Sequence, residues 1–267
     1  MSAPEPLVLA FAVSPQADAT NDLETRIKAL LEAEAQTESL DGPEFSQING
    51  SEIKADYLLG ERRIVAELKT LNGDPRDRVQ RQLQRRFSAP AAPIVYGRMG
   101  ASAVLDGLPD RDDVLRAIHD ISSRKVRDNL KKASDQIGAI KERLSLPSAA
   151  GLAIIMNENE EMIDAANFGF STIRAFLENA EAYRNVDYIW ASIEAVYIPM
   201  PNGQRGFPQL LICRDPAPPD ADLQFLAQLL NSWARRNRAS IQQITHGGDW
   251  QPLQPIYKNG PPKMSLY

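Results

Sequence analysis

The sequence predicts an α/β fold: a mixed central sheet flanked by helices on both faces. Three observations carry it. Residues 151–157 are an almost unbroken apolar run, which suits a strand buried on both faces. Residues 55–71 read as two apolar strands joined by a tight turn at Gly60. Residues 21–36, 122–144, 164–183 and 220–238 read as helices, most with apolar side chains three and four apart. The order helix, hairpin, helix, strand, helix, strand then wraps helices around a sheet with parallel and antiparallel pairs.

Taken in order, residues 7–13 suit a strand or a buried arm, and residues 14–20 are turn-like. The first helix carries the stripe Leu23, Ile27, Leu30 and Leu31, with Asn21 or Thr20 as its cap. Gly42-Pro43 ends that region, and a polar loop runs on to about residue 53. After the hairpin, Leu71-Asn72-Gly73-Asp74-Pro75 breaks the chain. Residues 77–87 read as a basic helix closed by Pro90 and Pro93, 94–96 as a short strand, and 110–119 as a short helix. The longer helix at 122–144 has the stripe Val126, Leu130, Ala133, Ile137, Ile140 and Leu144 and stops before Pro147. Residues 188–200 read as one long strand, turned by Pro201-Asn202-Gly203 and paired back through residues 209–213. Leu223, Leu226, Leu230 and Trp233 stripe the last helix, and the Gly- and Pro-rich tail from Gly247 reads as irregular.

Composition narrows the function classes. The chain has 267 residues, 43 % apolar and 24 % charged, ordinary for a globular protein with a real core. Its one cysteine, Cys213, allows no internal disulfide and reads as a buried thiol, which fits a reducing, cytoplasmic setting. The run at 7–13 is short and has no basic residue before it, unlike a signal peptide. No segment approaches the ~20 apolar residues of a membrane span. The net charge of −5 argues against non-specific coating of nucleic acid, although a local basic patch suffices to grip a phosphate backbone. His119 and His246 lack metal-ligand spacing, and there is no phosphate-binding glycine loop and no nucleophile elbow.

The hairpin carries the chemistry. With Gly60 and Glu61 as the central turn residues, Leu59 faces Arg62 and Asp56 faces Val65. Val65, Glu67 and Lys69 then share the face of Asp56, and Asp56 is the diagonal neighbour of Glu67, roughly 7–8 Å away at the backbone. Two carboxylates so placed suit Mg²⁺, which takes one or two carboxylates together with waters and phosphate oxygens. Lys69 is placed to orient a water or to stabilise developing negative charge, and the Leu68 carbonyl lies between the two side chains as a further oxygen. A cross-strand ion pair between Lys54 and Glu67 accounts for the same pattern without catalysis.

Asp56, ten intervening residues, then Glu67-Leu68-Lys69 resembles the signature of the PD-(D/E)xK, or restriction-endonuclease-like, nuclease superfamily. Ala55 stands where that family often has proline. The resemblance covers about residues 21–157 and implies one restriction-endonuclease-like domain, a three-layer sandwich, with 158–267 as a C-terminal extension. It implies Asp56 and Glu67 as ligands of Mg²⁺ or Mn²⁺, Lys69 as the catalytic lysine, and DNA, less often RNA, as the substrate. The helix before the hairpin often gives such enzymes a Glu, for which Glu24 is the first choice and Glu32 the second. A solvated acid favoured by the helix dipole is the other reading of Glu24. The helix after the hairpin often brings a Gln or a basic residue near the metal, here Gln136 and Lys132, which otherwise lie on a wet helix face.

Two basic stretches flank the site. Residues 61–86 contain Arg76, Arg78, Arg81 and Arg85 and a local charge near +4; residues 124–132 contain Arg124, Lys125, Arg127, Lys131 and Lys132. Both suit phosphate contacts that read no bases, or solvated helix faces with Asp77 and Arg81 as an i,i+4 pair. The expectation is a Mg²⁺-dependent deoxyribonuclease. The alternative is a catalytically silent domain of the same fold that binds nucleic acid or protein. No membrane partner is expected, and a homodimer through residues 209–213 and the last helix is open.

Overall fold

The computed structural model describes residues 4–15, 21–45, 55–73, 78–79, 81, 111–244 and 249–258. Ten strands form one mixed sheet: β1 (Leu7–Val13), β2 (Thr37–Ser39), β3 (Tyr57–Leu59), β4 (Ile64–Thr70), β5 (Ala150–Asn157), β6 (Tyr188–Ile193), β7 (Val196–Pro199), β8 (Arg205–Cys213), β9 (Ile241–Ile244) and β10 (Ile256–Tyr257). They run in the order β10-β7-β8-β6-β5-β4-β3-β2, while β1 pairs with β8 and β9 with β1. The centre is parallel, β4 with β5 and β5 with β6; the other pairs are antiparallel.

Among the described residues, helices cover both faces. On one, α2 (Arg111–Arg143) and α3 (Ala165–Glu178) bury Val126, Leu130, Ala133, Ile137, Phe168 and Phe176 against Leu58, Val65, Ala153, Ile155 and Ile189. On the other, α1 (Leu23–Ala33) and α4 (Asp220–Arg236) bury Leu23, Ile27, Leu30, Leu226 and Trp233 against Leu59, Ala66, Leu68, Ile154 and Trp190. Alternate residues of each strand feed opposite cores, as the two-residue period requires. The α/β class with helices on both faces is as the sequence predicts.

Several elements differ from the sequence reading. The hairpin turn spans four residues, Gly60 to Arg63, because Leu59 pairs with Ile64 rather than Arg62. Gly60, Glu61 and Arg62 all lie at positive φ (58°, 58° and 66°). Arg62 is held there by a two-point bond to Glu38 on β2 (2.8 and 2.7 Å). Asp22, not Asn21 or Thr20, caps α1, its carboxylate accepting from the Thr25 N–H at 2.7 Å. The two helices expected at 110–119 and 122–144 are one. Ser123 lies inside the unbroken helix, its hydroxyl donating to the Asp120 carbonyl and accepting from Arg127.

The strand expected at 188–200 bends between β6 and β7, where the N–H groups of Glu194 and Ala195 both donate to the Asn157 carbonyl (2.7 and 3.1 Å). The helix expected to reach residue 183 ends at Glu178, and a 3-10 turn follows at Ala180–Tyr183. The tail is not wholly irregular: β10 pairs with β7. Strands β2 and β9 carry no period legible in the sequence. The expected strand at 94–96 and most of the helix at 77–87 lie outside the described residues.

Candidate metal-binding and catalytic site

The chain bends at Asp56 as it enters β3. The Asp56 N–H donates to the Ala66 carbonyl (3.1 Å), and its Oδ2 accepts from the Leu68 N–H (2.8 Å). Asp56 therefore brackets Glu67, bonding to the backbone on either side of it. The register is two residues from the one the sequence suggests, so the carboxylates are adjacent rather than diagonal. An even shift keeps every β4 side chain on its face. Glu67 and Lys69 alternate with Leu68 and share the face of Val65, under α2.

The electrostatics follow from burial. Glu67 is 1 % exposed. Its Oε1 pairs with Lys69, while its Oε2 is buried and has only the Asp56 carboxyl as a partner, through a proton the two acids share. Burial first, and then the charge of Asp56, push the Glu67 carboxyl up to about 8. Burial also raises Asp56, against the pull of the Leu68 N–H. Two carboxyls and one ammonium share this pocket of low dielectric, so one acid holds a proton near neutral pH.

Two facing carboxyls that share a proton are hard oxygen donors, and a hard divalent cation can take that proton's place. Among the described residues no three His, Cys, Asp or Glu side chains form a metal-binding group. The donors here are the two carboxylates, a set that suits Mg²⁺ with waters and substrate phosphate more than zinc. In an extended strand a residue's N–H and C=O point the same way, so the Leu68 carbonyl turns to the Asp56 side with its N–H.

The other expected residues lie around this core. Glu24 is tied in from α1: its Oε2 accepts from the Thr70 hydroxyl and its Oε1 from Lys28, both at 2.7 Å. Those two bonds hold its carboxyl below the usual range. Lys28, raised first by its bond to Glu24, also lies in the field of Asp56. Sequence reasoning did not single out Lys28 or Thr70; the Glu24–Lys28 i,i+4 spacing was the available signal. Gln136 is half-buried and Lys132 exposed on α2. They share a flank with Lys125, whose Nζ lies 2.4 Å from where a Cβ on Gly73 would sit, just past β4. The opposite flank carries Ser134 and Lys141, which bond to Asn185 and Asp187 beside β6. The flank with Gln136 and Lys132 therefore faces the hairpin side.

Glu32 on α1 and Arg78 and Arg81 are all exposed. Arg76, Arg85 and Lys54 lie outside the described residues. The chain matches no family model, no curated protein and no solved structure.

Proposed function

We propose that this protein is a Mg²⁺-dependent nuclease that hydrolyses phosphodiester bonds, with DNA as substrate, built as a restriction-endonuclease-like sandwich. The observation that carries the reading is the junction of Asp56 with Glu67: a half-buried carboxyl at the entry to β3 against a buried one on β4, with Lys69 beside them. The succession α1, antiparallel hairpin, α2 and parallel β5 supports the same architecture.

Asp56 and Glu67 would hold the cation, with the Leu68 carbonyl on the same side. The bound cation supplies Lewis acidity, easing proton loss from water and drawing charge from the phosphate. Asp56 is fixed by the Leu68 N–H, which takes one of its two oxygens. Lys69 donates from Nζ to the attacking water or to the phosphate oxygen that gains charge. Glu24 and Thr70 hold the end of β4 to α1, which fixes Lys69. Gln136 and Lys132 line the approach from α2, and the arginines after β4 meet the backbone of the polynucleotide.

A second reading is favoured by the ion pair between Lys69 and Glu67, which also suits a silent binding domain of this fold. Plasmid and single-stranded DNA incubated with Mg²⁺ or Mn²⁺ separate the two. The nuclease reading expects cleavage by wild type and its loss in Asp56→Ala and Lys69→Ala. Cleavage that persists in both variants removes these residues from the mechanism, and DNA left intact by wild type on every substrate favours the silent domain.

A further inference from the structure

At the same end of the parallel strands lies a cleft of about 220 Å³ that the hydrolytic chemistry does not use. Met156 of β5 pairs with Thr70, Asn157 pairs with Ile193, and Glu158 then forms part of the cleft wall. Tyr197 and Phe207 in this cleft lie three to four strand spacings, roughly 15–19 Å, from the strand of Lys69, on the face covered by α1 and α4. Ligands of open α/β sheets bind at the carboxyl ends of the strands.

Its floor is aromatic. Tyr197 on β7 stands opposite Phe207 on β8, and the rings stack with centroids 4.8 Å apart and planes 22° apart. Both are only half-buried, and neither belongs to either hydrophobic core. Lys258 is exposed, with Nζ 5.2 Å from the Phe207 centroid and 5.8 Å from that of Tyr197. Among the described residues no carboxylate is ion-paired to it. Glu194, by contrast, is taken by Arg26 through bonds of 3.1 and 2.5 Å. An open groove continues the cleft, sharing Tyr197 and adding Gln204 and Arg205.

We propose that Tyr197, Phe207 and Lys258 form a base-stacking subsite for an unpaired nucleotide of a single-stranded polynucleotide. An aromatic pair outside the core offers a face to any base, and the ammonium meets the adjoining phosphate. Glu158 is an acceptor for base N–H groups. Arg205 extends positive charge along the groove, which favours a strand over a free nucleotide. The inference rests on the nuclease reading for its biological sense and names the substrate as single-stranded.

The test is polarisation of a labelled single-stranded oligonucleotide of about ten nucleotides, a length within the span of such sites, on the full chain in EDTA. A duplex of the same length and free dAMP are the comparison ligands. The single strand is expected to bind more tightly than the duplex. Tyr197→Ala and Phe207→Ala are expected to weaken it about tenfold or more, Tyr197→Phe to leave it unchanged, and Lys258→Glu to weaken it with a shallower salt dependence. Melting curves identify a ring variant that fails to fold; exposed Lys258 then carries the test. Binding unchanged in both Tyr197→Ala and Lys258→Glu overturns the proposal, as does displacement of the oligonucleotide by equimolar dAMP. Binding that depends on Tyr197 without cleavage by wild type removes the nuclease reading and leaves the subsite. Cleavage with binding indifferent to Tyr197 and Lys258 removes the subsite alone.

Discussion

Glu67 concentrates the energetic tension of the molecule. In the folded chain burial keeps its proton on up to about pH 8, whereas an exposed glutamate releases it near 4.5. Between those values the folded state binds more protons than the unfolded one, so stability falls as pH rises across the window and levels off below it. Melting temperature measured from pH 5 to 9 without divalent cation should decline, and Glu67→Gln should flatten the decline, gaining roughly 1 kcal/mol or more at pH 8. A cation needs the ionised form, so its affinity should rise with pH up to about 8 and level off above; cation titration at several pH values reads this directly. The meeting of Asp56, Glu67 and Lys69 was legible in the sequence because a hairpin and the two-residue strand period bring them to one face. The two-residue register difference cost nothing, since parity survives an even shift. Thr70 was not legible, because only the docking of α1 on the end of β4 gives it a part; Lys28 was signalled only by its i,i+4 spacing from Glu24.

Elements with strong periods were read closely. The stripe of α2 from Val126 to Ile140 is fully buried, and the apolar run at 151–157 is the central strand β5. Short strands β2, β9 and β10 escaped, because their pairing comes from neighbours rather than from pattern. The bend between β6 and β7 is likewise tertiary, set by two N–H groups on one carbonyl. Gly151 fixes how β5 meets the loop before β6: a Cβ there would lie 1.8 Å from the Asn185 carbonyl oxygen. Gly151→Ala should therefore cost about 3 kcal/mol by denaturant unfolding. Ile137→Ala beneath it on α2 should cost about 2–5 kcal/mol. Thr70→Val, which cuts the Glu24 bond to the strand that carries Lys69, should lower the cleavage rate more than it lowers stability, by single-turnover kinetics beside unfolding.

At the scale of the whole molecule, a net charge of −5 coexists with local basic stretches, so binding to a polynucleotide depends on where charge lies rather than on its sum. The proposed reaction and the stacking cleft share one end of the parallel strands, the end where α1 crosses from Thr70, through Glu24, to Glu194, through Arg26. Salt should weaken DNA binding steeply while leaving cation binding by the buried pair nearly unchanged, a contrast that binding isotherms at two ionic strengths would show. The central claim is that Asp56 and Glu67 form one divalent-cation site. Mn²⁺ binding followed by electron paramagnetic resonance tests it most directly. The account predicts a single Mn²⁺ site at pH 8, displaced by Mg²⁺ and lost in both Asp56→Ala and Glu67→Gln; no bound Mn²⁺, or equal binding in the variants, would contradict it.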